Sequence, residues 1–513
     1  MHPRHWARVN PEKAAVIAAR SGRVTTYREL NDRSMQCANL LHRAGLVPGD
    51  HVAAILENRP HFLEISWAAQ RSGLYFTPIS WRFQPDEVLY ILEHCGAKAL
   101  FVSHSQRLLA EQVFLKTRIS IRLSIGGPLD GYQCLEQAMA EFPTTPAFEE
   151  TRGVDMLYSS GSTGRPKAIK TSVGDPQVDG PPPLYRLFGE RFGWNESTMY
   201  LMPAPLYHSG PLRFAMAMGY FGATVVLMEK FDARESLELC ERYRITHAQW
   251  VPTMLVRLLK LPQEARRRYD LTHLKCVIHG AAPISVDVKR AMIDWLGPIL
   301  EESYSATEGN GATLIGSNEW LAHPGSVGKA AFGTLHILDE AGEEVPVGTI
   351  GNIYFEGPRF EYYKEPQRTR EAFNQRGWST LGDIGYVDAE GYLYLTDRKS
   401  DVIITGGVNV YPIEAEHVLT SHPRVIDAAV FGVPDEDLGE AVHAVVQPLD
   451  NSDAGPELER LLLDYCRSRI AHYKCPRSIE FRGELPRHDT GKLYKRILKA
   501  QYIANAAERM QGG

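Results

Sequence analysis

The chain of 513 residues has no long hydrophobic run. No stretch approaches the ~18 consecutive apolar residues of a membrane-spanning helix. The basic segment Met1–Asn10 (MHPRHWARVN) is not followed by the apolar core of a secretory leader. Membrane insertion and export are therefore not expected, and the cytoplasm is the expected location. Asn195-Glu196-Ser197 fits a glycosylation pattern, but in a chain expected to stay inside the cell it reads as chance. Cysteine is sparse: seven residues (Cys37, Cys95, Cys134, Cys240, Cys276, Cys466, Cys475), scattered and with no CxxC pair. They read as reduced structural thiols rather than a disulfide framework. An excess of one charge is also missing, since 56 Lys and Arg face 62 Asp and Glu for a net charge of −6. Broad attraction to nucleic acid or anionic lipid is excluded, so any anion site must be local. The 18 histidines contain no HExxH and join no Cys/His cluster of zinc spacing. There is no GxSxG elbow, no GxGxxG after a strand, and no repeat of 20 to 50 residues.

What is present is an ordinary globular composition, 44% apolar and 10% aromatic. At roughly 100 to 200 residues per domain this length corresponds to about two to four domains, each able to bury a core. Short β-branched runs alternate with amphipathic stretches, the pattern of α/β layers around largely parallel sheets. Ser236 to Tyr243 reads as helix and Ile245 to Val251 as a strand ending at Pro252. His273 to His279 reads as a strand that breaks at Gly280-Ala281-Ala282-Pro283. Ser285 then caps a helix with Val288, Met292, Trp295 and Leu296 on its apolar face, before a strand from Ile299 to Ser303. Gly126 to Gly131 and Gly174 to Pro183 read as loops. The charged cluster Asp397-Arg398-Lys399-Ser400-Asp401 precedes a fresh apolar run. The expected fold is therefore α/β, with a large N-terminal domain of layered sheets and helices (1–398) and a small, mobile α+β C-terminal domain (399–513).

The most informative segment is Tyr158 to Ile169, YSSGSTGRPKAI. Ser159, Ser160, Gly161, Ser162, Thr163 and Gly164 supply hydroxyls and closely approachable backbone N–H groups, and Lys167 adds a cation, a set suited to a polyphosphate. It is not a Walker A loop, because its glycines are too close and Ala168 follows the lysine.

This loop closely resembles the phosphate loop of the adenylate-forming superfamily, which contains acyl-CoA synthetases, adenylation domains of peptide synthetases, and luciferases. Other signatures follow in order, from NPEKAAVI at Asn10 to Arg496. PLYHSG resembles the motif whose histidine, here His208, lies near the carboxylate substrate. GAAP, with Gly280, Ala281 and Ala282, resembles the adenine-edge loop. YSATEG resembles the motif in which Tyr304 packs on adenine, Thr307 meets the α-phosphate and Glu308 helps hold magnesium. Gly382-Asp383 resembles the element whose Asp383 bonds the ribose hydroxyls, and Arg398 matches a second ribose contact. GGVNVYPIEAE opens the small domain with Gly406 and Gly407, which the resemblance places on a pantetheine channel. Thr490-Gly491-Lys492 resembles the loop carrying the catalytic lysine, Lys492.

The resemblance implies an ATP-dependent acid–CoA ligase that uses ATP, Mg2+ and CoA, and forms an acyl adenylate before the thioester. The residue types agree with that chemistry: Lys167, Lys492 and a metal on Glu308 neutralise phosphoryl charge, and an ionised Asp383 can accept both hydrogens of a ribose diol. The departures are Ala168 and Ser305 where glycines are usual, Leu381 where threonine is usual, and Ser400 at the hinge. KTSVGDPQ after the phosphate loop departs from the usual His and Asn. Arg266-Arg267-Arg268 reads as a solvated helix face, whereas Lys495, Arg496 and Lys499 flank the lysine loop and are candidates for the phosphates of CoA.

Segments around His208 and Trp250 and the GAAP loop are implied to wall the acid pocket, and they favour a hydrophobic monocarboxylic acid, fatty or bulky cyclic, over aryl acids. Only 21 residues follow Lys492, which favours a free thiol acceptor. The alternatives are a stand-alone enzyme loading a carrier-protein thiol, a luciferase-like oxidation, or an inactive nucleotide-binding protein. Expected partners are the acid, ATP and CoA, with no nucleic acid and no membrane span; a homodimer is left open.

Overall fold

The computed structural model describes residues 1–159, 166–171, 173, 178–435, 437–487 and 493–511, with the backbone alone from 506 onward. Ser160, Gly161, Ser162, Thr163, Gly164 and Lys492 lie outside the described residues. The chain forms two compact units. The first comprises Met1–Gln249, Tyr269–Cys276 and Phe360–Glu371, and the second Trp250–Arg268, Val277–Arg359 and Ala372–Gly513. The boundary expected after residue 398 falls within the second unit. No helix among the described residues is long and apolar enough to cross a membrane.

The first unit contains a six-stranded, all-parallel sheet in the order Gln133–Cys134, Ile121–Ile125, Ala99–Ser103, His51–Ile55, Tyr75–Ile79, Val154–Asp155. Its central strands are buried along their whole length, as continuous apolar runs in parallel sheets require. Pro78 is tolerated because the last strand pairs only Tyr75 and Phe76, leaving no hydrogen bond for its missing N–H to make on that side. Parallel strands His247–Gln249, Met199–Met202, Thr224–Leu227 and Ala14–Ala18 form a second layer, with Val24–Thr26 antiparallel at its edge. The helix Tyr27–Arg43 starts with a capping box between Thr26 and Glu29. A small antiparallel sheet joins Leu157–Ser159, Lys167–Lys170 and Glu361–Tyr362.

In the second unit, strand β1 (Cys276–Gly280) leads to helix α1 (Val286–Leu296), which is capped by Ser285 as its sequence predicts, and then to β2 (Leu300–Ser305), parallel to β1. The buried face of α1 differs from the sequence reading in one respect. Lys289 is fully buried beside Val288 and Met292, while Trp295 is only partly covered and has Arg266 over its ring. Antiparallel strands β3 (Asp383–Val387) and β4 (Leu393–Arg398) belong to a four-stranded sheet. Beyond them, α2 (Pro412–Ser421) and α3 (Lys495–Gln511) flank the long hairpin Val425–Asp435 with Gly439–Pro448. The expected α/β architecture, with a smaller α+β portion at the C-terminus, is what the chain adopts. All seven cysteines are free thiols, and six are buried.

The end of β4 is tied to the C-terminal elements by a charged cluster. Asp397 accepts from the backbone N–H of Ile413 at 3.2 Å, while Lys495 pairs with Glu416 at 2.8 Å. Burial pushes the Asp397 carboxyl up to about 6, against the pull of Lys495. A carboxyl whose folded value exceeds its unfolded value of about 3.9 binds protons more readily when folded, so its contribution is present at low pH and is lost as pH rises through about 6. Denaturation curves at pH 4 and pH 7 should show the wild type losing up to about 3 kcal/mol relative to Asp397→Asn. Equal shifts in both proteins would remove Asp397 as the cause.

Candidate nucleotide and acid-activation site

The site begins where β1 and β2 end side by side, with Gly280 opposite Ser303. A Cβ on Gly280 would lie 2.4 Å from the Ser303 carbonyl oxygen, so only glycine fits. Ala281 follows at φ 69°, a left-handed conformation that costs a non-glycine residue about 1 kcal/mol or more. Backbone strain of this kind collects at ligand sites.

One strand over, β2 delivers Tyr304. Its hydroxyl donates to Asp383 Oδ2 at 2.8 Å, and burial together with the Asp383 charge pushes the phenol well above its ordinary range. Asp383 opens β3 directly after Gly382, which sits at φ 85°. The β3–β4 register sets Asp383 opposite Arg398, whose Nε lies 3.2 Å from Asp383 Oδ1. Both carboxylate oxygens are thus oriented by partners and still have lone pairs for further donors. A recess beside them is lined by Tyr304, Ser305, Ala306, Asn310, Phe355 and Leu381, among others. The Leu381 departure therefore places an apolar side chain in the recess wall, while the neighbouring Thr380 hydroxyl accepts from the Gly382 N–H at 3.2 Å. Thr307 and Glu308 follow Tyr304 in the turn after β2, and Glu308 is 8% exposed.

The remaining predicted residues fall elsewhere. In the first unit, Lys167 stands opposite Ser159 at the base of the phosphate-loop segment. The Lys167 ammonium donates to the Tyr362 hydroxyl at 2.7 Å and lies 4.2 Å from that ring. His208 is a buried residue at the N-cap of the helix Ser209–Phe221, edge-on to Tyr207 at 4.4 Å. In the second unit, Trp250 has no exposed surface. Gly406 and Gly407, at φ 55° and 79°, form the two-residue turn between Ile403–Thr405 and Val408–Val410, a geometry that by itself demands glycines. Of the basic tail, Lys495 pairs with Glu416 and Lys499 with Glu440, each at 2.8 Å.

Sequence reading missed Tyr362, because nothing near it marks a partner 195 positions from Lys167. It also missed Lys289 and Glu302, which pair with each other in the core. For Lys289, an ionisable residue on an otherwise apolar helix face was the available signal.

The AMP-binding enzyme family matches residues 3–361, and the AMP-binding enzyme C-terminal domain matches 414–492. The chain belongs to the AMP-binding enzyme family. Relatives of this adenylate-forming family cover almost all of it. A fatty acid–[acyl-carrier-protein] ligase, ScoC, of Streptomyces coeruleorubidus is 31% identical over 98% of this chain and 96% of its own. A feruloyl-CoA synthase of an Amycolatopsis species is 32% identical over 98% of each. The crystal structure of the anthranilate CoA ligase AuaEII in complex with anthranoyl-AMP superposes with a TM-score of 0.85 at 26% identity, covering 98% of this chain and 97% of that one. General acid-activation chemistry through an adenylate follows from this membership; the acid does not.

Tyr304→Phe keeps the ring and removes only the hydroxyl bonded to Asp383. A hydrogen bond to a charged group is worth about 1.5 kcal/mol or more, and that loss is expected in the urea unfolding free energy. An unchanged midpoint would show that the bond does not order the site.

Proposed function

We propose that the protein is an acid–CoA ligase that converts a hydrophobic carboxylic acid, fatty or bulky cyclic, to its acyl adenylate and then to the CoA thioester. The observation that carries this reading is the Tyr304–Asp383–Arg398 constellation: a carboxylate held by a phenol and a guanidinium at the end of a sheet. Asp383 accepts the ribose hydroxyls there, Arg398 steadies that carboxylate, and the Tyr304 ring and the Gly280–Ala282 backbone face the base. In the first half-reaction the acid carboxylate attacks the α-phosphorus of ATP, the bond to the bridging oxygen breaks, and pyrophosphate leaves with that electron pair. Thr307 contacts the α-phosphate, Lys167 exchanges its Tyr362 partner for phosphate oxygens, and His208 lies near the acid. Lys492 neutralises charge on the attacked phosphate. In the second half-reaction the CoA thiolate attacks the acyl carbonyl and AMP leaves.

The residues present fit magnesium. No group of three or more metal-binding side chains occurs among the described residues, and magnesium asks for none, being held by one or two carboxylates plus substrate phosphates and water. Glu308 is the carboxylate that would hold it, and the ion supplies charge neutralisation on the triphosphate.

The acceptor has a second reading, a carrier-protein thiol, favoured by the resemblance to the ScoC ligase over nearly the whole chain. CoA is preferred here because the feruloyl-CoA synthase matches equally fully at 32% identity. A panel of fatty, cyclic and aryl acids assayed for AMP release with CoA or with a carrier protein separates the two. Release driven by CoA with apolar acids supports the proposal; turnover only with small polar acids, or only with a carrier protein, overturns it. Lys492→Ala should lose acid-dependent pyrophosphate release by about 100-fold or more, while a supplied acyl adenylate still yields thioester. Full pyrophosphate release by the variant would deny Lys492 its role.

A further inference from the structure

Beneath the Gly280–Pro283 loop lies a charged group that no step above employs. Lys289, on α1, is completely buried, and its ammonium donates to Glu302 Oε2 on β2, which is 5% exposed. The Trp320 ring covers the same ammonium at 4.9 Å. His279, the last residue of β1 before Gly280, is 1% exposed and stands opposite Glu302 in the strand register, with Nε2 3.8 Å from the same oxygen. Among the described residues, neither ring nitrogen of His279 has a hydrogen-bond partner. Burial, and then the charge of Lys289, keep the imidazole neutral.

Such a pair is a poor source of stability. Desolvating both ions costs several kcal/mol each, and apolar replacements of a buried ion pair are often neutral or stabilising. What the pair does supply is a fixed distance between three elements. From Gly280 the chain makes the left-handed turn at Ala281 and reaches Ser285, which caps α1. One turn later, Lys289 reaches back to Glu302, two residues before Tyr304. Both ends of the loop are thus clamped to the strand that carries the tyrosine. Tolerance there is small, because the Gly280 Cα and the Ser303 carbonyl leave no room even for a methyl group.

We propose that Lys289 and Glu302 are positioning residues for the nucleotide, holding the Gly280–Ala282 backbone and Tyr304 at the spacing that reads the edge of an adenine base. This rests on the reading that these two elements face the base. A displacement of about 1 Å at a binding edge costs up to about 100-fold, and it affects base discrimination before it affects the phosphates.

The test is calorimetric binding of MgATP and MgITP, which differ at the purine 6-position, to the full-length wild type, Lys289→Met, the apolar pair Lys289→Met/Glu302→Met, and Tyr304→Ala. Wild type is expected to prefer ATP. Lys289→Met and the apolar pair are expected to lose that preference by about tenfold or more, with the pair melting within a few degrees of wild type. If wild type shows no preference and Tyr304→Ala binds ATP as wild type does, the reading of the base site fails. If wild type discriminates and the apolar pair discriminates equally, the site stands and the positioning role is overturned. Should Lys289→Met not fold, the apolar pair decides alone, and failure of both to fold overturns the inference by making the ion pair a stability element.

Discussion

The second unit is organised around the Asp383 carboxylate. A bare carboxylate at a sheet end is costly to desolvate unless donors surround it. Here Tyr304 arrives from β2 and Arg398 from β4, strands of two different sheets whose side chains converge on this one carboxylate. The carboxylate is therefore oriented before any ligand comes, and such preorganisation removes the cost of arranging it at the moment of binding. The glycine at position 382 and the strained alanine at 281 belong to the same constraint, since both let the backbone turn sharply where side chains converge.

Charge in this protein is placed locally rather than globally. A net charge of −6 gives no long-range attraction for a triphosphate. The cations that matter sit on structural partners instead: Lys167 on the Tyr362 hydroxyl, Arg398 on Asp383, Lys289 on Glu302 and Lys495 on Glu416. Each pairing holds a long side chain in one geometry. A ligand then competes with, or adds to, a defined partner instead of ordering a flexible chain.

Much of the fold was legible because it rests on local rules. Ser285 as a cap, the strand before Gly280 and the strand leading to Tyr304 all follow from residue type and periodicity, and each appears within a few residues of its expected place. The glycine pair Gly406–Gly407, in contrast, shows its turn only in the structure, where both residues take positive φ. The site was legible through the order of its motifs. What escaped were partners chosen by tertiary register: Lys289 was hidden on a helix face that otherwise reads as apolar, and Asp397 reads as one charge in a run although Ile413 and the Lys495–Glu416 pair surround it.

By itself, the sequence determined the family, the α/β class and the residue types available for binding a nucleotide, because those depend on local conformation and on motifs in fixed order. Only the tertiary structure decided which of those residues touch. Tyr304 and Asp383 are 79 positions apart, and their bond joins strands of two different sheets, a contact that no local pairing rule announces. A shift of one residue along β2 would turn the Tyr304 side chain to the other face of its sheet.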